Sequence, residues 1–407
     1  MVLRHRDFRL LLAGRFCAGL ALQMQAVAVG WYLYDHTGDP LSLAYAGLAV
    51  FLPIALFTLP GGDAADRFDR RRILAAAHLV QAACAGLFIA LSVSAAANWL
   101  FYAVLALSGM ARAFSGPAVH SFTPFLVPRE EFASAVGWSS STNQTATVLG
   151  PALGGVIYLL GSAAVFGACL VFSLGVSCAA LAISRRVVGE KSNTGAWSRL
   201  ALGLSYLRRQ QVVLGAITLD LFAVLLGGVS AMLPIYAKDV LAVGPDGLGL
   251  MRSAIAVGAL GMALVLANLP AQRHPHAGRA IFLGVALFGA GVLAFGLSQS
   301  FVLSLAVLLV MGAADMVSVF VRATVVQLGT PDEMRGRVSA VHMLFVGASN
   351  ELGEFRAGLV AAWLGAVPAV LAGGIGTLLV VALWARFFPE LARVDRLSEV
   401  ASARIKS

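Results

Sequence analysis

The chain has 407 residues, of which 59% are hydrophobic and 12% charged, with a net charge of +9 and a mean hydropathy of +0.86. Soluble domains carry roughly 25% charged residues, so this composition excludes an ordinary water-soluble enzyme and leaves lipid as the solvent. The basic excess does not argue for nucleic acid, because Lys and Arg beside membrane spans report orientation rather than affinity for phosphate. Cys17, Cys84, Cys169 and Cys178 lie in apolar runs without CxxC spacing, so neither a disulfide framework nor a zinc site is expected.

A bilayer core about 30 Å thick needs about 20 apolar residues per helix. Charge-free runs divided on that scale place spans at 10–33, 41–62, 73–95, 98–122, 132–160, 163–184, 211–237, 248–269, 279–298, 301–323, 337–364 and 366–387. The expected fold is an all-α membrane protein, with twelve transmembrane helices in two pseudo-symmetric six-helix bundles. Residues 1–184 form the first bundle, 185–210 a basic cytoplasmic linker, 211–387 the second bundle and 388–407 a cytoplasmic tail. With the N-terminus inside, 23 Lys and Arg fall in cytoplasmic segments, and only Lys238 and Arg252 fall outside. That asymmetry places both termini in the cytoplasm. An internal echo supports duplication: Pro128-Arg129-Glu130-Glu131 precedes the fifth span and Pro331-Asp332-Glu333 the eleventh. At the same offset Gly150 maps onto Gly353 and Arg112 onto Asp315. Repeated halves are typical of transporters with a midplane site.

The loop after the second span carries Gly62, Asp66, Arg67, Arg70 and Arg71. It is short, so the helices it joins are antiparallel neighbours, and its charges can pair with one another or with helix ends. A plain basic topology anchor is the alternative. In the fifth span, Gly150, Pro151 and Gly154 give a helix that loses a donor and admits a close partner; ordinary small-residue packing accounts for the same pattern.

These motifs resemble the major facilitator superfamily: Gly62 to Arg71 its G-x-x-x-D-R-x-x-R-R loop, and Gly150-Pro151-Ala152-Leu153-Gly154-Gly155 the G-P-x-x-G-G signature of its proton-exchanging exporters. Arg112 to Gly116 is similar to its R-x-x-Q-G element, with Ser115 in place of glutamine. Phe8-Arg9-Leu10, Gly38 to Leu41 and Arg335 to Ser339 look like the transmembrane secretion effector branch, which includes siderophore and macrolide exporters. The resemblance implies a cytoplasmic latch at Asp66 and its arginines, a hinge at Gly150-Pro151 and a cavity lined by the first, fourth, seventh and tenth helices. The second-half loop, Asn268 to Arg273, lacks the Asp, so a latch there would be lopsided.

Ionisable side chains in hydrocarbon cost about 2.5 to 3.5 kcal/mol on insertion scales and call for partners or water. Arg112 and Asp315 each lie about 14 residues into their spans, near the centre; they are candidates for a central charge pair, for substrate contacts or for a static salt bridge. Glu351 and Glu354 share a helix face, whereas Arg356 points elsewhere. The two acids can carry a proton, bind a cation or belong to a structural network in which one meets Arg356 through a break at Gly353. Asp220 is a further candidate for proton coupling, with Arg15 as a partner, and Arg322 is expected to snorkel. Gln23, Trp138 and Asn143 are candidates for the substrate route, with interhelical packing as the alternative. His78, His120 and His342 stand singly, so no metal site is expected, and no P-loop or nucleophile elbow appears.

The expected function is a secondary transporter, not an enzyme: proton-coupled efflux of a small organic molecule by alternating access. The alternatives are a metal or organic-cation exporter of the same fold, or a facilitative or proton-coupled importer. Expected partners are the small-molecule substrate, protons and the lipid bilayer, with no nucleic acid and no cofactor. The protein is expected as a monomer in a bacterial inner membrane.

Overall fold

A computed structural model describes residues 2–94, 97–187, 196–268 and 277–394. Part of the expected linker, most of the second-half loop from Leu269 to Arg273, the end of the tail and the side chain of His120 lie outside the described residues.

The described residues form helices and turns. In chain order the helices are α1 (Arg6–Thr37), α2 (Pro40–Arg67), α3 (Arg70–Val93), α4 (Asn98–Phe122), α5 (Phe132–Tyr158), α6 (Ser162–Ala182) and α7 (Ala196–Arg209). They continue as α8 (Gln211–Gly227), α9 (Leu233–Ile235), α10 (Gly244–Asn268), α11 (Ala277–Leu297), α12 (Phe301–Gly329), α13 (Asp332–Leu364), α14 (Ala366–Phe387) and α15 (Pro389–Ala392). Each expected span coincides with one of the long helices, except the seventh. That span is broken: α8 stops at Gly227, and 3-10, α and π turns carry the chain on to Val240. Nine stretches among the described residues are long and apolar enough to cross a membrane. The helices at the fourth, fifth and eleventh expected spans are not among these nine; they carry Arg112, a run of hydroxyls and amides, and the Glu351-Glu354 segment respectively.

The helix ends follow from local chemistry. Gly38 adopts φ 62°, and its N–H donates to Tyr34 O at 2.9 Å, closing α1 with the left-handed cap that glycine adopts without a Cβ clash. Asp69 caps α3 by accepting from the Arg71 N–H at 3.1 Å. Gly161, between α5 and α6, and Gly365, between α13 and α14, both turn the chain at positive φ, 103° and 89°. These paired corners stand one position away from the offset seen in the sequence.

The chain divides into two compact units. The first comprises Met1–Gly38, Tyr45–Ala196 and Ala242–Ser253; the second comprises Asp39–Ala44, Trp197–Leu241 and Ala254–Ser407. In the first unit α1 packs on α5 and α6, and α3 on α4 and α6. Its core holds Met24, Phe88, Phe101 and Phe166, with the Phe88 ring 5.6 Å from Phe101 and 5.1 Å from Phe166. In the second unit α8 packs on α13 and α14, and α11 on α12 and α14, around Ile217, Leu219, Ile281 and Val325. The linker helix α7 belongs to this core. Leu207 is fully buried, and the Tyr206 hydroxyl donates to Gly329 O at 3.0 Å.

Candidate functional site

The second unit holds a buried charge cluster built by α8 and α12. Arg322 Nη1 pairs with Asp220 Oδ1, and the two residues are 4% and 5% exposed. This overturns the expectation that Arg322 snorkels. Its guanidinium stays inside because α8 presents a carboxylate to it, and Asp220 thereby has a partner on its own unit rather than in Arg15. Asp315 lies seven positions before Arg322, two turns away on the same face of α12. It joins Asp220 and Ser318 in lining a small cavity between α8, α11 and α12.

At the break after α8 two backbones pack closely. A Cβ on Gly228 would lie 2.9 Å from Gly353 O, and one on Gly353 would lie 2.8 Å from Val224 O, so the two backbones meet where neither residue has a side chain. Ending a helix inside protein leaves carbonyls without donors. Here Arg356 Nη2 donates to Leu226 O, and the Thr377 hydroxyl donates to Ala223 O at 3.1 Å. A cation at a helix C-terminus also meets the favourable end of its dipole. Helix α13 runs unbroken from Asp332 to Leu364, so Arg356 reaches α8 rather than turning back to Glu351 or Glu354 through a break at Gly353. Both glutamates are half-buried.

In the first unit, α1 and α5 border an open groove of about 360 Å³. Trp138, Ser141, Thr142 and Thr145 line it from α5, and Arg9 and Phe16 from α1. The α5 residues fall at i, i+3, i+4 and i+7, a single stripe of the helix. Trp138 is 46% exposed, and Asn143 is exposed beside the stripe. On a helix expected to cross the membrane, this row of hydroxyls and an amide suits water or a polar guest better than acyl chains, and the Thr145 hydroxyl also donates to Ser141 O at 2.8 Å. Sequence reading picked Trp138 and Asn143 from this helix and missed Ser141, Thr142 and Thr145, although their spacing was the available signal. Arg9 was counted only as an orientation charge.

The loop between α2 and α3 ties down helix ends. Arg70 is 5% exposed; it donates to Ala65 O and Ser121 O, both at 3.2 Å, and its guanidinium lies 4.8 Å from the Phe125 ring centre. Arg71 donates to Ile183 O at 2.7 Å and pairs with Asp69 at 3.4 Å. The C-terminal ends of α4 and α6 are thus held by neighbouring arginines. Asp66 is half-buried, Arg67 is exposed, and a Cβ on Gly62 would meet nothing within 4 Å.

On α5, a Cβ on Gly150 would lie 2.5 Å from Gln23 Cβ, and one on Gly154 would lie 2.9 Å from Met24 Cα. Gly150 and Gly154 are therefore the surface on which α1 crosses, and Gln23 is the residue that covers Gly150. Three residues before Pro151, Val148 O accepts from the Ser253 hydroxyl at 2.8 Å.

A profile of the Major Facilitator Superfamily matches residues 11–354. The chain belongs to the Major Facilitator Superfamily. Multidrug efflux pump Tap of Mycolicibacterium fortuitum is 27% identical over 414 residues, covering 96% of this chain and 97% of Tap. Enterobactin exporter EntS of Shigella boydii serotype 18 is 24% identical over 398 residues, covering 96% and 93%. Macrolide efflux protein A of Streptococcus pyogenes is 31% identical over 147 residues, and the match spans 36% of each chain, about a third of that relative's length. Among solved structures, a POT family transporter in complex with 5-aminolevulinic acid aligns with a TM-score of 0.74 at 12% identity, over 95% of this chain and 96% of that one. A bacterial homolog of the human lysosomal transporter Spinster, inward-facing and unoccupied, aligns at 0.69 and 15% identity, over 95% and 97%. At such identities the likeness is one of fold.

Within this superfamily member, the expected site residues fall into separate groups. Trp138 lines the first unit's groove, Gln23 and Asn143 lie on the helices that border it, and Arg112 is half-buried on α4 of the same unit. Asp220 and Asp315 share the second unit's cavity. Glu351 and Glu354 lie on α13, five and two positions before Arg356. Arg322, Ser318, Arg9, Ser141, Thr142 and Thr145 are participants that sequence reading did not select as site residues.

Proposed function

We propose that this protein is a secondary active transporter that exports a small organic molecule in exchange for protons, by alternating access. The observation that carries the proposal is the stripe of Trp138, Ser141, Thr142 and Thr145 on a helix expected to span the membrane, lining an open groove of about 360 Å³. An indole face, three hydroxyls and the nearby guanidinium of Arg9 are the few convergent polar groups that orient a ligand among apolar walls. Tap and EntS, similar over nearly the whole chain, support the outward direction. In this proposal Arg112, Gln23 and Asn143 add substrate contacts, and Glu351 and Glu354 carry the protons. Gly150, Pro151 and Gly154 form the pliable crossing, and Asp66 with Arg67, Arg70 and Arg71 forms the latch. The protein works as a monomer in the inner membrane, with both termini cytoplasmic.

The test is transport in proteoliposomes bearing a proton gradient, with a panel of fluorescent drugs, siderophores and metabolites. Wild type is expected to move at least one compound in a gradient-dependent way. Trp138→Ala is expected to lose affinity, and Glu351→Gln/Glu354→Gln to lose the gradient dependence. Transport that ignores the gradient in wild type would overturn the coupling; failure to move any compound would overturn the proposal.

A further inference from the structure

The charge cluster of the second unit does not balance. Asp220 and Arg322 cancel each other, which leaves Asp315 as one net negative charge beside them. No hydrogen bond or ion pair joins Asp315 to another described residue. The remaining walls of the cavity are apolar: Ala223 and Val224 from α8, and Val285 and Phe288 from α11. A carboxylate in such surroundings is costly unless something compensates it.

A second, independent feature lies in the same cavity. Ser318 is 1% exposed, and its hydroxyl has no hydrogen-bond partner. A serine inside a helix ordinarily satisfies itself on the carbonyl three or four residues back, as Ser115, Ser121 and Ser349 do here. Ser318 instead lines the cavity with its oxygen unused. One turn before it on the same helix face is Asp315.

We propose that the cavity between α8, α11 and α12 is a binding site for one sodium ion, held by Asp315, Asp220 and Ser318. Two carboxylates and a hydroxyl are hard oxygen donors, the set that suits a hard, non-transition cation. The charge count selects a monovalent ion, since one positive charge neutralises the cluster and two would leave an excess. Among the described residues no third His, Cys, Asp or Glu joins the group, as a tightly held divalent ion would ask. The space is about 10 Å³, room for roughly one water-sized occupant, so an ion there sits without its hydration shell, and sodium is the ion probed. Ser318 is the specificity-determining contact, because its oxygen has no structural duty to perform.

The test uses the purified full-length protein in detergent and needs no transported substrate, so it stands or falls apart from the export proposal. Thermal unfolding is followed by tryptophan fluorescence in sodium, potassium and choline chloride at one pH and one ionic strength. Sodium is expected to raise the midpoint by roughly 2 to 4 °C over choline, with potassium giving less, as binding to the folded state alone requires. Ser318→Ala removes no hydrogen bond, so it is expected to fold normally and to lose the sodium increment; Asp315→Asn is expected to lose it too. Ser205→Ala, on the exposed side of α7, is expected to keep it. Equal midpoints in the three salts for wild type, or a full sodium increment in Ser318→Ala, would overturn the site.

Discussion

Arg322 on α12 and Asp220 on α8 form an ion pair in which neither side chain is more than 7% exposed. Removing one member of such a pair strands the other charge in an apolar interior, at a cost of about 3 to 5 kcal/mol. Arg322→Leu and Asp220→Leu are therefore each expected to lower the unfolding midpoint sharply. The double variant, which leaves no stranded charge, is expected to recover most of the loss. Thermal unfolding of the four proteins in one detergent checks this, and additive losses would show that the charges do not depend on each other.

Arg356 has a different task. It supplies a donor to Leu226 O, a carbonyl that α8 leaves without an intrahelical partner where it stops short. Arg356→Met keeps the stem but leaves that carbonyl unsatisfied, with an expected loss of about 1 to 3 kcal/mol. Hydrogen exchange at 220–227 measured by mass spectrometry is expected to speed up in the variant. Protection unchanged from wild type would mean that the cap is dispensable.

The glycines of α5 separate contact from composition. Gly154→Val forces a branched side chain into Met24 Cα, so α1 has to move away, and overpacking of this kind costs about 1 to 3 kcal/mol. Gly175→Ala on α6 meets nothing within 4 Å and is expected to stabilise the helix by up to about 1 kcal/mol. Unfolding midpoints that shift in opposite directions would bear this out.

For the loop between α2 and α3, Arg70→Ala and Arg71→Ala are expected to loosen the ends of α4 and α6, since each loses a carbonyl partner. Asp66→Ala touches no such bond. It is expected to leave the midpoint in place while changing which face of the protein is open. Labelling of single cysteines placed at the two membrane faces reads that balance, and equal labelling in wild type and variant would remove Asp66 from the latch.

The long helices were legible because span length is a matter of charge-free runs, and those runs survive any packing. The interruption after Gly227 was not, since Gly227 and Gly228 sit in an apolar stretch that reads alike as one helix or as two pieces. The close approach of Gly353 to Gly228, which accompanies the break, comes from another helix of the bundle. Missing the break also hid the role of Arg356, whose acceptor exists because α8 ends there. Arg322 was misplaced for a related reason. Its depth in the span is a one-dimensional quantity, whereas its burial depends on Asp220, about a hundred residues away, arriving beside it. The α5 stripe was missed for no such reason: Trp138, Ser141, Thr142 and Thr145 follow the helical period without help from any other element, yet only Trp138 of the four was selected.

Gly161 and Gly365 bend the backbone through nearly the same pair of angles, φ 103° and ψ 158° against φ 89° and ψ 163°. Corners of matching shape are interchangeable parts. Transplanting the four residues around one glycine onto the other is expected to yield a protein that still reaches its native form, as if the gene had been spliced from two copies of a single hairpin template.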